Sequence, residues 1–498
     1  MGSETAKTNL NDPLLIQNRE DKKSNSGIIR FVTTDDRNSE KFLGEVKKQL
    51  RLAGPLILVN FLQFSLQLIS VMFVGHLGQL SLASASIATS FASVCGFSFL
   101  MGMGGALDTL CGQSYGAKQY RMLGIYMQRA MLVLLLVSVP LAFIWANTGR
   151  ILMAVGQDQE ISIEAGVYAR FMIPSIFAFG LLQCQVRFLQ AQSIVFPMMI
   201  TSTITALSHI IVCWVLVFKT GLGSRGAAVA NAISYWINTL LLALFIKFSA
   251  SCKRTWTGFS KEALQDVLNF LRLSIPSAIM TCLEMWCFEM MVLLSGLLPN
   301  PMLETSVLSI SLNTSSVVFM ISSGVGATIS TRVSNELGAR NPQAARLAVQ
   351  VVLCIIITQG TLIGSIMILI RRLWGYAYSS DKEVVNYVAI MLPINAVSSL
   401  LEAIQCVLSG TIRGCGRQVI GAFINLGAYY LVGIPSAIIF AFVLHVGGKG
   451  LWLGIMCALF VQVVSLLIVT LRTDWEQEAK HAADRVYEAE IPVNVVVS

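Results

Sequence analysis

Apolar runs dominate this chain from Leu52 to Leu471, broken by short polar connections. Each run is long enough to supply the ~20 residues that an α-helix needs to cross a bilayer. Twelve windows qualify: 52–74, 83–107, 123–147, 167–188, 196–218, 226–249, 270–298, 305–328, 346–370, 386–410, 418–443 and 449–471. The fourth is the most polar, because it holds Arg170, Gln183, Gln185 and Arg187. Lipid offers no hydrogen bonds to a bare backbone, so spans of this length predict helices. The expected fold class is therefore an all-α polytopic membrane protein.

Composition agrees. Hydrophobic residues make up 55% of the 498 and charged residues only 12%, against roughly 25% charged in a soluble domain. The net charge of +8 is spread over the connections and forms no basic module, which excludes nucleic acid as a partner. The polar N-terminus has no charged stretch leading into a short apolar one, so the first span is expected to act as its own insertion signal. Single cysteines inside the runs, such as Cys95, Cys184 and Cys282, behave as small apolar residues. The histidines His76, His209, His445 and His481 match no metal-ligand spacing. Neither disulfides nor a metal is expected.

Lysine and arginine set the expected orientation, since they collect on the cytoplasmic side. Lys41, Lys47, Lys48 and Arg51 precede the first span, and Lys118, Arg121, Lys253, Arg254, Lys261, Arg332, Arg340, Arg413 and Arg417 fall in the even-numbered connections. Gly75-His76-Leu77-Gly78 and Leu297-Leu298-Pro299-Asn300, after the first and seventh spans, carry none. Both termini are expected to be cytoplasmic.

The chain also repeats itself. Arg51-Leu-Ala-Gly-Pro55 returns as Arg272-Leu-Ser-Ile-Pro276, an offset of 221. Gly112-Gln-Ser-Tyr-Gly116-Ala-Lys118 returns as Ser334-Asn-Glu-Leu-Gly338-Ala-Arg340, an offset of 222. Met172-Ile-Pro174 matches Met391-Leu-Pro393 at 219, and Arg225-Gly226 matches Lys449-Gly450 at 224. Six spans per repeat give the halves one orientation, related by an axis along the membrane normal. The expected layout is a disordered tail over 1–44, an N-lobe over 45–249, a linker over 250–267, a C-lobe over 268–472 and a tail over 473–498. Two lobes around a central cavity suit a transporter that rocks between two openings.

Carboxylates deep in spans are costly and mark function. Glu284, Glu289 and Glu402 are the candidates for carrying a proton. The repeat pairs them with Gln63, Leu68 and Gln183, so acid chemistry is expected in the C-lobe alone. Asn60, Gln63 and Gln67 form one stripe at helical spacing, and Thr281 with Glu284 forms its counterpart, which points Glu284 to the cavity. Asn395, Ser398, Glu402, Gln405 and Ser409 form a stripe on the tenth span. Glu289 lies about 140° around the helix from Glu284 and ranks behind the other two. Burial in an apolar cavity favours the neutral form of a carboxyl, the property a proton carrier needs. The expected cavity lining is Asn60, Gln63, Gln67, Gln183, Thr281, Trp286, Asn313, Asn395, Ser398 and Gln405. Asp108 is expected to be structural at an interface, and Arg187 and Arg413 to sit at cytoplasmic helix ends, as snorkelling or gate residues.

Val74-Gly-His-Leu-Gly78, Cys111-Gly112-Gln113-Ser-Tyr-Gly116-Ala117, Cys282-Leu-Glu284-Met-Trp286-Cys-Phe-Glu289, Leu297-Leu-Pro-Asn-Pro-Met-Leu-Glu-Thr305, Arg332-Val-Ser-Asn335-Glu336-Leu337-Gly338-Ala339 and Val407-Leu-Ser-Gly410 carry a resemblance. The chain resembles, from about residue 45 to 472, the plant detoxification branch of the multidrug and toxic compound extrusion (MATE) family. The resemblance implies twelve helices in two pseudo-symmetric six-helix lobes and a proton/organic-compound antiporter acting by rocker-switch. It also implies that the acidic residues of helices seven and ten, here Glu284 and Glu402, carry the proton. Helix ten more often has Asp where this chain has Glu402, and Met285 replaces the first of two tryptophans that often follow Glu284.

The expected function is export of alkaloid-, flavonoid- or xenobiotic-like compounds in exchange for protons, with no cofactor and no enzymatic activity. The alternative is a flippase for lipids or lipid-linked sugars, which would place basic residues in the cavity. An intramembrane enzyme lacks a nucleophile–base pair here. The protein is expected to be a monomer in the vacuolar or plasma membrane. Asn11-Asp12-Pro13-Leu14-Leu15-Ile16 holds a dileucine of the vacuolar sorting type.

Overall fold

The computed structural model describes residues 23–488, with side chains placed over 39–487. The dileucine at Leu14-Leu15 lies outside the described residues. All twelve expected spans are helices: α1 (Ser39–Gly75), α2 (Gln79–Gly116), α3 (Tyr120–Ala146), α4 (Gln159–Ala191), α5 (Phe196–Lys219), α6 (Ser224–Phe248), α7 (Val267–Ser295), α8 (Pro301–Gly338), α9 (Pro342–Ala377), α10 (Lys382–Cys415), α11 (Gln418–Val443) and α12 (Gly448–Leu471). Several outrun their apolar windows, because a helix once started continues through polar turns beyond the hydrocarbon. One expectation about the ends changes. The first helix already begins at Lys23 and is continuous into α1, so residues 23–44 are helix and not disordered tail. The segment after α12 forms a further helix, α13 (Trp475–Glu488).

Helices α1–α6 and α7–α12 each enclose their own core. Trp145, Tyr168 and Phe188 are among the large buried side chains of the first, and Trp452 and Tyr429 of the second. The repeat is visible in the backbone as well. Lys118 and Arg340 end α2 and α8 with positive φ of 62° and 56°, and Gly223 and Gly447 precede α6 and α12 at 56° and 68°. The 250–267 linker is fastened to the N-lobe: Ser260 N donates to Gln128 Oε1 at 2.8 Å, and Gln128 Nε2 donates to Gly258 O at 2.9 Å.

The lobes join at the face that carries both described ends of the chain, hereafter the terminal face. There the two copies of the repeated glycine motif pack against each other. A Cβ on Gly116 would lie 2.0 Å from Asn335 O, and one on Gly338 would lie 2.0 Å from Gln113 O. Only glycine permits this approach of α2 and α8. Around it, Arg332 Nε and Nη2 each donate to a Glu45 oxygen at 2.9 Å, and Asn335 Nδ2 donates to Ala191 O at 3.0 Å. Gln190 Nε2 donates to Thr331 Oγ1 at 3.0 Å, and Gln49 Nε2 to Ala348 O at 2.8 Å.

Towards the opposite face the lobes part. On α8, Ser306, Asn313, Val317, Met320 and Gly324 share one side at helical spacing. At its lower end Gly324 abuts Ile57 of α1, but Val317 is 39% exposed and Asn313 is exposed too. The facing side of α1 behaves alike: Ile57 is in contact, Leu68 is 50% exposed and Met72 is 61% exposed. The two helices thus form a V, open away from the terminal face.

The glycine contact yields a stability prediction. Overpacking by one methyl group typically costs about 1–3 kcal/mol. Gly116→Ala should lower the thermal midpoint of the purified protein by a few degrees. Gly427→Ala, whose added Cβ meets nothing within 4 Å, should leave it unchanged or slightly raised. Equal midpoints in a thermal-shift assay would refute the close-approach account.

Candidate functional site

Helix α10 builds one side of the site. Its stripe of Asn395, Ser398, Glu402, Gln405 and Ser409 is buried along its whole length, with Glu402 only 8% exposed. Glu284 on α7 turns into the C-lobe to meet it: Gln405 Nε2 donates to Glu284 Oε2 at 3.1 Å and to Ser409 Oγ at 3.0 Å. Glu402 lies within electrostatic reach of Glu284. The two highest-ranked carboxyl groups therefore share one interior region, where the Gln405 amide ties Glu284 of α7 to the stripe of α10.

Three residues of this neighbourhood were not singled out as part of the site. Arg413, one turn beyond Ser409 on α10, acts electrostatically on Glu284, and its Nε is buried without a hydrogen bond. As expected from the sequence, it lies in the last turn of its helix, two residues before Cys415. Tyr429 on α11 brings a buried, unbonded hydroxyl close to both glutamates. It lies in a π-helical stretch, Leu426–Gly433, whose extra residue per turn re-aims its side chains. Asn425 on the same helix donates to Met280 O at 2.8 Å and accepts from Gln462 Nε2 at 2.7 Å, tying α7, α11 and α12 together. Interior amides in an apolar run were the available signal for Asn425; for Arg413 and Tyr429 the signal is three-dimensional.

The other expected residues divide into three groups. Asn395 and Ser398 serve packing inside the C-lobe: Asn395 Nδ2 donates to Ser311 O at 3.4 Å, and Trp452 Nε1 donates to Ser398 Oγ at 3.0 Å. Gln183 is buried against Gly104 in the N-lobe, Gln67 faces the Tyr235 hydroxyl, and Gln63 is half-buried on α1. At the lobe boundary, Asn60 Nδ2 donates to Ser323 Oγ at 2.8 Å and forms the floor of the V. Thr281 packs on Gly102 of α2, and Trp286 Nε1 donates to Val94 O at 2.8 Å. Asn313 is exposed on the α8 wall above that floor.

Thr281 and Glu284 thus part company: the former faces α2 across the boundary, the latter its own lobe. Glu289 lies on the α7 side that Ala278 and Cys282 turn to α2, half-buried and apart from the Glu284–Glu402 pair. Asp108 and Arg187 explain each other. Arg187 Nη1 lies 3.3 Å from both oxygens of Asp108, as an ion pair between α2 and α4.

Two six-helix lobes, joined at one face and parted at the other, with carboxyl groups buried among the spanning helices, define a polytopic membrane transporter. The family model described as MatE matches residues 55–215 and 276–439. "Protein DETOXIFICATION 16" of Arabidopsis thaliana is 62% identical over 468 residues, covering 94% of this chain and 96% of its own. "Protein DETOXIFICATION 15" of the same organism is 62% identical over 442 residues, covering 89% and 91%. The crystal structure of the eukaryotic MATE transporter AtDTX14 superposes with a TM-score of 0.87 at 47% identity, covering 90% of this chain and all of that one. The chain belongs to the multidrug and toxic compound extrusion (MATE) family of transporters.

The Asp108–Arg187 pair makes a testable claim. Removing one member of a buried pair strands the other charge, typically at about 3–5 kcal/mol, while removing both is far milder. Arg187→Met should therefore sharply reduce the yield of folded protein, and Arg187→Met with Asp108→Asn should recover most of it. Fluorescence-detected size-exclusion chromatography checks this; a double variant as poor as the single one contradicts it.

Proposed function

We propose that this transporter exports small organic compounds of alkaloid, flavonoid or xenobiotic type from the cytosol in exchange for protons, with Glu402 and Glu284 as the proton carriers. The observation that carries this reading is the enclosed Glu284–Gln405–Glu402 cluster, whose repeat-related positions in the N-lobe, Gln63 and Gln183, are neutral. A proton bound there removes a buried negative charge that faces Arg413. Its loss restores that charge, so the two protonation states favour different packing of α7 and α10. Such a difference in favourable packing is what allows a bound ion to shift a conformational equilibrium.

The lysine and arginine distribution supports a cytoplasmic terminal face. The V then opens to the non-cytoplasmic side, where a driving proton arrives and substrate leaves. Its walls offer apolar side chains such as Leu68, Met72 and Val317 beside single amides such as Asn313, and no basic residue among those named. Such walls suit amphipathic organic molecules better than phosphate-bearing headgroups. Rocker-switch alternation between this opening and one at the terminal face completes the cycle. The protein works as a monomer, in the vacuolar or the plasma membrane, with the proton as its coupling ion.

Each pH unit across the membrane supplies about 1.4 kcal/mol per proton. A two-unit jump should drive wild-type efflux of a fluorescent organic cation from proteoliposomes. Glu402→Gln should lower the gradient-driven rate at least tenfold while the protein still folds and binds the cation. Glu284→Gln should behave the same way and Glu289→Gln should be mild. Gradient-dependent transport of normal rate in both Glu402→Gln and Glu284→Gln would move the coupling site elsewhere.

A further inference from the structure

Helix α13 follows α12 after a tight turn in which Asp474 Oδ1 accepts from Glu476 N at 3.0 Å and Gln477 N at 3.2 Å. Its sequence is amphipathic. Trp475, Ala479, Ala482 and Val486 recur at helical spacing on one side, with the polar residues Gln477, Lys480 and Asp484 off that side. Ala479, Ala482 and Val486 are buried, and Ala479 and Ala482 join one apolar cluster with Val333 and Leu337 of α8 and Ala345 and Val349 of α9. The helix is thus seated on the C-lobe at the terminal face.

Charge fixes it there. Glu478 is 1% exposed and ion-paired with Arg417 at the start of α11. Arg417 Nη1 also donates to Thr473 Oγ1 at 3.4 Å, ahead of the helix. These anchors lie within the C-lobe, so α13 moves with that lobe as one piece.

Arg485, two turns further on, does something different. Its Nη2 donates to Cys415 O at the end of α10 at 2.9 Å, and its Nη1 donates to Gln113 Oε1 of α2 at 2.8 Å. Gln113 belongs to the N-lobe, is 1% exposed, and sends its own Nε2 to Gly414 O at 3.2 Å. Beside it, Thr109 Oγ1 donates to Arg413 O at 2.5 Å and accepts from Gln418 Nε2 at 2.8 Å. A backbone turn at Gly416, with φ of +79°, leaves the room the guanidinium occupies: a Cβ there would fall 2.3 Å from Arg485 Nη1. One guanidinium therefore spans the lobe boundary on the sealed side, held by a helix that belongs to one lobe.

We propose that α13 is a latch of the terminal face, and that Arg485 is a positioning residue which stabilises the closed terminal face against the open one. The proposal rests on the alternating-access reading above. Opening the terminal face pulls Gln113 away from α10 and breaks its charged hydrogen bond to Arg485. That bond is thus made in one state only, and an interaction made in one state only sets the ratio of the two. A hydrogen bond to a charged group has the size to change such a ratio about tenfold.

The test uses the full chain in lipid nanodiscs, with spin labels at the cysteine-substituted positions Lys118 and Arg346 in a cysteine-depleted background. Pulsed electron resonance then gives the inter-lobe distance at the terminal face. Wild type should show a short and a long distance whose ratio responds to pH and to added organic cation. Arg485→Met keeps the aliphatic stem and removes the charge. It should raise the long-to-short ratio about tenfold and change the transport rate in proteoliposomes.

Gln113→Met removes the same bond from the other lobe and should shift the ratio in the same direction. The double variant should shift it little further than the larger single one, as for two groups that share one bond. Two distances in wild type with an unchanged ratio in Arg485→Met would overturn the latch alone. A single distance in wild type under every condition would overturn the alternating-access reading itself, and the latch with it.

Discussion

Where two helix backbones touch decides how this molecule can move. At the terminal face α2 and α8 meet main chain to main chain, with Gly116 against Asn335 and Gly338 against Gln113. Close backbone approach packs many weak contacts into a small area, and any added side chain would prise it open. The contact is made by the same motif in both halves, so the duplication produces a symmetric joint between two homologous surfaces. Everything above it follows: two helices joined at one end and packed into separate lobes diverge towards the other, and the gap between α1 and α8 is that divergence.

The lobes are alike in frame and unlike in chemistry. In the N-lobe, His209 sits between Ser70 Oγ at 3.1 Å and Ser234 Oγ at 2.8 Å. The same lobe pairs the buried Asp108 with Arg187. The C-lobe instead holds Glu284, which accepts from Gln405 Nε2, and the buried Glu402. Carboxyl groups inside membrane spans are costly and are functional candidates by default. Duplication supplied two like scaffolds, and the second has Glu284 and Glu402 where the first has Gln63 and Gln183.

The sequence made the frame legible because lipid leaves so few choices. A run such as 449–471 has nothing to be but a helix, and Gly448–Leu471 is one. The offset of 222 between Gly116 and Gly338 exposed the repeat, but nothing in a linear pattern says that the two copies touch. Spacing placed Glu402 and Gln405 on one side of α10, and that side is buried and meets Glu284 of α7. The same logic joined Thr281 to Glu284 by analogy with α1, and there the lobes differ: Gly102 of α2 draws Thr281 to the boundary while Gln405 draws Glu284 inward. Helix α13 lies in the segment expected as a tail, and Trp475, Ala479, Ala482 and Val486 carry its helical period.

The acid site and the sealed face are parts of one helix. Glu402, Gln405 and Ser409 occupy the upper turns of α10; Arg413 follows one turn below, and Gly414, Cys415 and Gly416 end it against α2 and α13. A rigid helix rises 1.5 Å per residue, so Glu402 and the carbonyl of Gly414 are only about 18 Å apart along one rod. Any tilt of α10 that answers a change of charge at Glu402 must therefore displace the carbonyls of Arg413, Gly414 and Cys415. Thr109, Gln113 and Arg485 hold those same carbonyls. The hydrogen bonds that seal the terminal face end on the helix that bears the carboxylate, so site and seal need no intervening chain of contacts to be mechanically joined.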